Sequence, residues 1–190
     1  AEIAEVLRIC SRGSDILGRL GGDEFAALLP ATAENSEVSI RQRLTEEEGL
    51  QPLAGCQLEQ GRLSLDAAAR AQLDYDSQGL AAVYAGDSFH YVSRQGRSQA
   101  VITWDNGPDY VEEGLLRGRV GERIAYFDAA LAQAVPGTYD FGWPFSDGIA
   151  QVCNGCRRGT PDAGGHTPME GGEWFHIDRQ GRRVADPAGR

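Results

Sequence analysis

Lysine is absent from this chain, and all eighteen of its basic residues are arginine. That usage carries no functional reading by itself. The charge balance does exclude one class of partner: 28 acidic residues leave a net charge of −10. An acidic chain repels a phosphate backbone, so no nucleic-acid partner is expected. Long apolar runs are lacking as well. No stretch approaches the roughly 20 residues that a membrane-spanning helix needs, so no membrane span is expected. There is no starting methionine and no signal peptide. Ile3, Val6, Leu7 and Ile9 instead recur at helical spacing, so the sequence reads as beginning mid-helix inside a longer protein. Hydrophobic residues make up 41%, enough for a globular core, and the length of 190 residues suits one or two domains.

Cysteine is sparse, with Cys10, Cys56, Cys153 and Cys156. "LAGC" at 53–56 has the letters of a lipoprotein cleavage box, but the "TEEEGLQP" before it holds no apolar segment, so no processing is expected there. "CNGC" at 153–156 raises two chemistries, a redox pair or half of a zinc site. His166 and His176 follow at distances that fit none of the common zinc patterns. The surrounding "CNGCRRGTPDAGGHTPMEGGE" reads as a glycine-rich loop rather than a redox βαβ context. A local disulfide or two free thiols are favoured over half of a zinc site.

What the sequence does have is "GRLGGDEFAALLP" at 18–30. A glycine pair between apolar runs signals a hairpin, because primed turns need positive φ. The strands are expected at Asp15–Arg19 and Glu24–Leu29. Asp23 and Glu24 fall at the tip, where a turn lets two adjacent carboxylates approach one hard cation and leaves backbone N–H groups for phosphate. With its flanks the run is "LRICSRGSDILGRLGGDEFAALLPAT", followed by "ENSEVSIRQRL". It resembles the GGDEF domain of diguanylate cyclases, which join two GTP molecules into cyclic di-GMP, over about residues 1–48. Gly21, Gly22, Asp23, Glu24 and Phe25 spell the signature, and Arg12 and Asp15 match the family's R-x-x-D inhibitory site.

The resemblance implies that Gly21 and Gly22 bind substrate, that Asp23 and Glu24 bind magnesium, and that Glu24 also serves catalysis by helping to deprotonate the attacking hydroxyl. Arg12 and Asp15 would hold cyclic di-GMP. GTP or cyclic di-GMP, magnesium and a cytoplasmic location follow as expectations. The family's earlier strand with a further metal-binding aspartate, and its later S-x-G strand, have no counterpart in these residues. One edge of a site does not fix octahedral magnesium, and a displacement of about 1 Å alone can cost about a hundredfold in rate. The chain as written is therefore expected not to be a competent cyclase, and magnesium is expected only where the site is completed.

Glu46 to Glu48, then Gly49 and Pro52, mark a boundary. Before it the pattern predicts helix, hairpin, helix. The first helix ends near Arg12 or Gly13, and the second runs from about Glu34 to Glu47. After a linker at 49–56, "LSLDAAARAQL" at 63–73 predicts one short helix, and residues 57–186 read as a β module. "SQGLAAVYAGDSFHYVSRQGR", "EEGLLRGRVGERIAYFDAAL" and "SDGIAQVCNG…EWFHIDRQGR" repeat one pattern. Its glycines, Gly79, Gly114 and Gly148, stand 35 and 34 residues apart (114 − 79 and 148 − 114). This pattern resembles the WG-repeat family, although the Trp-Gly dipeptide itself is Trp174-Phe175 here. The fold class expected is α+β, a helix-hairpin-helix fragment followed by stacked β-hairpins.

One hairpin cannot bury its apolar face alone, so three are expected to share a core. That core draws on Leu80, Val83, Tyr91, Leu115, Ile124, Tyr126, Phe145, Ile149, Val152, Trp174 and Ile177. The connector aromatics Trp104, Tyr110, Tyr139, Phe141 and Trp143 either line a ligand groove or cap the core. The function expected is a β-repeat binding module for an unknown protein or small-molecule ligand, carrying a truncated GGDEF segment. A diguanylate cyclase completed elsewhere in a longer protein, and a cyclic di-GMP receptor through Arg12 and Asp15, are the alternatives. The β module by itself would also suit the periplasm.

Overall fold

The structure, a computed structural model, describes residues 7–10, 16–21, 24–28, 50–104, 107–160 and 167–186; up to residue 52 the description is of backbone alone. The chain divides into two compact units, Ala1–Pro108 and Asp109–Arg190.

In the first unit, β1 (Leu7–Cys10) lies between β4 (Leu50–Pro52) and β7 (Leu80–Ala85), parallel to both. β8 (Ser88–Ser93) and β9 (Ser98–Ala100) extend the sheet antiparallel, in the order β4-β1-β7-β8-β9. This overturns the α+β expectation. The segment read as the end of a first helix is a central strand. Its apolar run is too short for periodicity to separate helix from strand, and neighbours on both edges take up its backbone groups. The second expected helix, 34–47, lies outside the described residues. β2 (Ile16–Gly21) and β3 (Glu24–Leu28) do pair as an antiparallel hairpin, with an irregular register between Arg19 and Gly21.

A second hairpin joins β5 (Cys56–Glu59) to β6 (Arg62–Leu65). The five-residue helix α1 (Ala67–Ala71) follows, capped by Asp66, whose carboxylate accepts from the Ala69 amide at 2.7 Å. It is the one helix among the described residues. Leu53, Leu63, Ala69, Leu73, Ala81, Val83, Ala85 and Val92 form the core of this unit. The short pair β10 (Thr103–Trp104) and β11 (Gly107–Pro108) closes it.

The second unit holds the hairpin β12 (Leu116–Val120) and β13 (Arg123–Phe127), and a sheet in the order β14-β15-β16-β17. These four strands are Phe141–Gly142, Ile149–Arg158, Met169–Asp178 and Arg183–Val184. Leu116, Ile124, Tyr126, Val135, Val152 and Ile177 are each buried in its interior. "CNGC" is not in a loop. It lies inside β15, which runs on against β16 as far as Arg158 paired with Met169.

The three glycines at near-equal spacing all enter their strands with positive φ: 80° at Gly79, 77° at Gly114 and 78° at Gly148. Glu113 and Asp147, just before the latter two, share that conformation at 51° and 54°. Each pair makes a primed turn, closed by backbone bonds between Glu112 and Leu115 and between Ser146 and Ile149. Fourteen residues beyond Gly79 and Gly114, and thirty beyond Gly148, a second turn recurs. There the Ser93, Asp128 and Asp178 side chains each accept from the amide four residues on. The second turn therefore has the same local geometry three times, the primed glycine turn occurs in the latter two copies, and the third copy is lengthened between its strands.

Candidate functional site

Of the residues that the sequence singled out around the signature, the structure brings two together. Gly21 ends β2 and Glu24 begins β3, and they are paired across the hairpin. Gly22, Asp23, Arg12 and Asp15 lie outside the described residues.

A second concentration of chemistry stands on the sheet of the second unit. Cross-strand register aligns Phe141 with Cys153 and Cys153 with Trp174. The Trp143 amide bonds to the Gln151 carbonyl at 2.9 Å, and Gln151 pairs with His176. Side chains alternate between the faces of a strand. Ala150, Val152 and Ile177 thus point into the core, at 2%, 0% and 0% exposure. Phe141, Trp143, Gln151, Cys153, Trp174 and His176 share the opposite face.

That face is aromatic and partly open. Trp143 is 42% exposed, while Phe141 and Trp174 are half-buried. Phe141 meets both tryptophans edge-on, with ring centres at 5.2 Å and 6.0 Å and planes at 85° and 62°. The Trp174 indole N–H donates to the Gly171 carbonyl at 3.0 Å, which fixes its ring. His176 stands in the next row, with Nδ1 3.4 Å from the highly exposed Asp186 carboxylate. Two indole faces beside an amide, an imidazole and a carboxylate suit a ligand with apolar surface and hydrogen-bonding groups.

The scaffold beneath this face is held firmly. Cys153 and Cys156 form a disulfide inside β15. Gly155, at φ 79°, and Gly172 opposite it, at φ 71°, both take the left-handed conformation beside the disulfide, while the register runs unbroken from Asn154–Glu173 to Cys156–Gly171. A Cβ on Gly172 would lie 2.4 Å from the Cys156 backbone nitrogen and 2.7 Å from the Cys153 sulfur. Arg123 reaches in from β13, donating to the Asn154 side chain at 2.5 Å and to the Thr138 carbonyl at 2.7 Å. Asp140 completes this brace, 3.1 Å from Arg123 and accepting from the Gly155 amide at 2.5 Å. At the sheet edge Arg183 clamps Glu173 and lies 3.8 Å from the Phe175 ring centre. Its hydrogen bond to Glu173 holds that carboxyl below the usual range.

The sequence reading named five connector aromatics, and they divide. Tyr139 is buried and Trp104 half-buried, whereas Tyr110 is 53% exposed and Phe141 and Trp143 belong to the open face. Trp174, expected in the core, lies on the open face instead. Gln151 and His176 went unnoticed as partners of this patch. The signal available for them was period-2 alternation about Val152 and Ile177.

No helix among the described residues is long and apolar enough to cross a membrane. No curated protein and no solved structure matches the chain. The family model of the diguanylate cyclase GGDEF domain matches residues 1–60, which relates this first part of the chain to cyclic di-GMP signalling.

Proposed function

We propose that the chain is a binding protein, a β-hairpin module of the WG-repeat type joined to a partial GGDEF segment, and that its working surface is the open aromatic face of the second unit. The observation that carries this reading is the row Trp143, Phe141 and Trp174. Three contiguous aromatic rings on a well-braced sheet face, with Trp143 left 42% exposed, go beyond what packing a small core requires. The three recurrent turns support the repeat assignment.

The GGDEF match supports GTP or cyclic di-GMP as a nucleotide partner of the first 60 residues. Under this reading Arg12 and Asp15 hold cyclic di-GMP, Gly21 and Gly22 contact substrate phosphate, and Asp23 and Glu24 bind magnesium where the site is completed. The chain as it stands is read as a binder and not a cyclase. The match ends at residue 60, and β1 within it shares one sheet with β7, β8 and β9 beyond it. A cytoplasmic location accompanies the nucleotide partner.

The test is capture on arrayed peptides and arrayed glycans, run with wild type and Trp143→Ala. Wild type is expected to retain a defined set of ligands that Trp143→Ala loses. An identical set for both proteins would remove the aromatic face from the account.

A further inference from the structure

The disulfide lies in the same cross-strand row as the aromatic rings. Cys153 sits between Phe141 and Trp174 in register and is fully buried, while Cys156 is 5% exposed. The two cysteines are separated by only three positions. A loop this short removes little chain entropy from the unfolded state, so the bond contributes little to global stability. The strand path at this point is held without it as well, because Arg123 and Asp140 bind Asn154 and Gly155 independently. Its position points to a different role. The Cys153 sulfur lies 3.9 Å from the Gly171 carbonyl, the same oxygen that accepts from the Trp174 indole at 3.0 Å. A disulfide sulfur has no proton to give, so of the two the Trp174 indole is the donor to that oxygen. A Cys153 thiol would have one and would compete for it.

Resting on the aromatic face as the binding surface, we propose that Cys153–Cys156 is a reversible dithiol/disulfide switch that sets the Trp174 ring and thereby regulates ligand capture. The reductant is a dithiol. One of its thiolates attacks the Cys156 sulfur, reached by local opening of the β15–β16 pair, and the S–S bond to Cys153 breaks with the electron pair leaving on Cys153. The second thiol of the reductant then displaces Cys156. Two electrons and two protons pass from the dithiol, which leaves as its own disulfide, and Cys153 and Cys156 end as thiols. In the oxidised protein Trp174 is pinned to Gly171 beside Phe141; in the reduced protein that pin is shared and the ring is released. In a reducing compartment a bond of this kind is transient and sensing rather than structural.

The experiment follows tryptophan emission of the full chain before and after dithiothreitol, then after reoxidation with oxidised glutathione. Alkylation and peptide mass mapping verify that Cys153 and Cys156 have changed state. Wild type is expected to rise in emission on reduction and to return on oxidation, with its thermal transition still cooperative. Trp174→Phe should lose the response. The double variant Cys153→Ser with Cys156→Ser should also lose it, which separates this bond from any change at Cys56. Reduction without an emission change would overturn the switch, as would reduction that unfolds the chain or a response that survives in the double variant. Array capture in both redox states separates the two readings. Ligands bound equally in both states overturn the switch alone, and no ligand in either state overturns the binding face alone.

Discussion

Arg117 and Asp109 form an ion pair with both side chains 1% exposed. The Arg117 backbone amide and Nε both donate to the carboxylate, at 2.6 Å and 3.1 Å, and a third nitrogen, Nη1, donates to the Gly142 carbonyl at 3.0 Å. The pair therefore ties the start of the second unit to β12 and to the strand that carries Phe141. Removing one partner leaves the other charge buried, which costs about 3–5 kcal/mol. Asp109→Ala is expected to lower stability by that amount in denaturant unfolding. Asp109→Ala with Arg117→Met should recover much of the loss, and a double variant as unstable as the single one would show that the ion pair is not the cause.

Gly172 and Gly114 should respond differently to alanine. Both have positive φ, but a Cβ at Gly114 meets nothing within 4 Å, whereas one at Gly172 collides with backbone of β15. Gly114→Ala should cost only the conformational penalty of roughly 1–2 kcal/mol. Gly172→Ala should cost more and should hinder the Cys153–Cys156 bond, read as extra free thiol in the folded protein. Equal losses at the two sites would contradict the close approach of β15 to Gly172.

His90 gives the first unit a pH dependence. It is 2% exposed on β8, and its Nδ1 has no hydrogen-bond partner among the described residues. Burial pushes its pKa below the usual 6.5, against a smaller opposing pull from Asp87. The folded state therefore favours neutral imidazole, and the unfolded state takes up the proton first. This stability is complete above about pH 6.5 and is lost as pH falls below it toward the depressed folded value. Chemical denaturation at pH 7.5 and 5.0 should show wild type weakening more than His90→Leu. The same pH slope in both proteins would place the effect elsewhere.

The GGDEF signature makes a separate expectation testable. Incubated with GTP and magnesium, the chain should yield no cyclic di-GMP detectable by mass spectrometry. Product that disappears in Glu24→Ala would overturn the reading of a binder without cyclase activity.

The features legible in the sequence were those with a local cause. Gly79, Gly114 and Gly148 announced their turns because only a residue without a Cβ adopts φ near 80° at low cost. The run at 63–73 was read as one short helix, and α1 lies inside it, capped by Asp66. The β2–β3 hairpin followed from its glycine pair. Features set by partners distant in sequence were not legible. Leu7 to Cys10 became a strand because β4 and β7 flank it, and four residues carry too little period to reveal that. "CNGC" was read as a loop from its glycines, yet β16 extends beside it and pairs with it in unbroken register. Trp174 was assigned to the core by residue type, but the register Cys153 to Trp174 puts it on the open face. Arg117 offers no sequence signal of burial, because its partner Asp109 comes before the strand and its second acceptor, Gly142, lies 25 residues later.

The central claim is that ligand capture happens on the Trp143 face and not at the Gly21–Glu24 hairpin. Its most direct test is the affinity of the strongest array ligand for wild type, Trp143→Ala and Glu24→Ala, measured by fluorescence titration alongside each protein's thermal midpoint. The account predicts that Trp143→Ala weakens binding by tenfold or more, about 1.4 kcal/mol, with an unchanged midpoint, and that Glu24→Ala binds as wild type does. A Glu24→Ala variant that loses the ligand while Trp143→Ala keeps it would contradict the account.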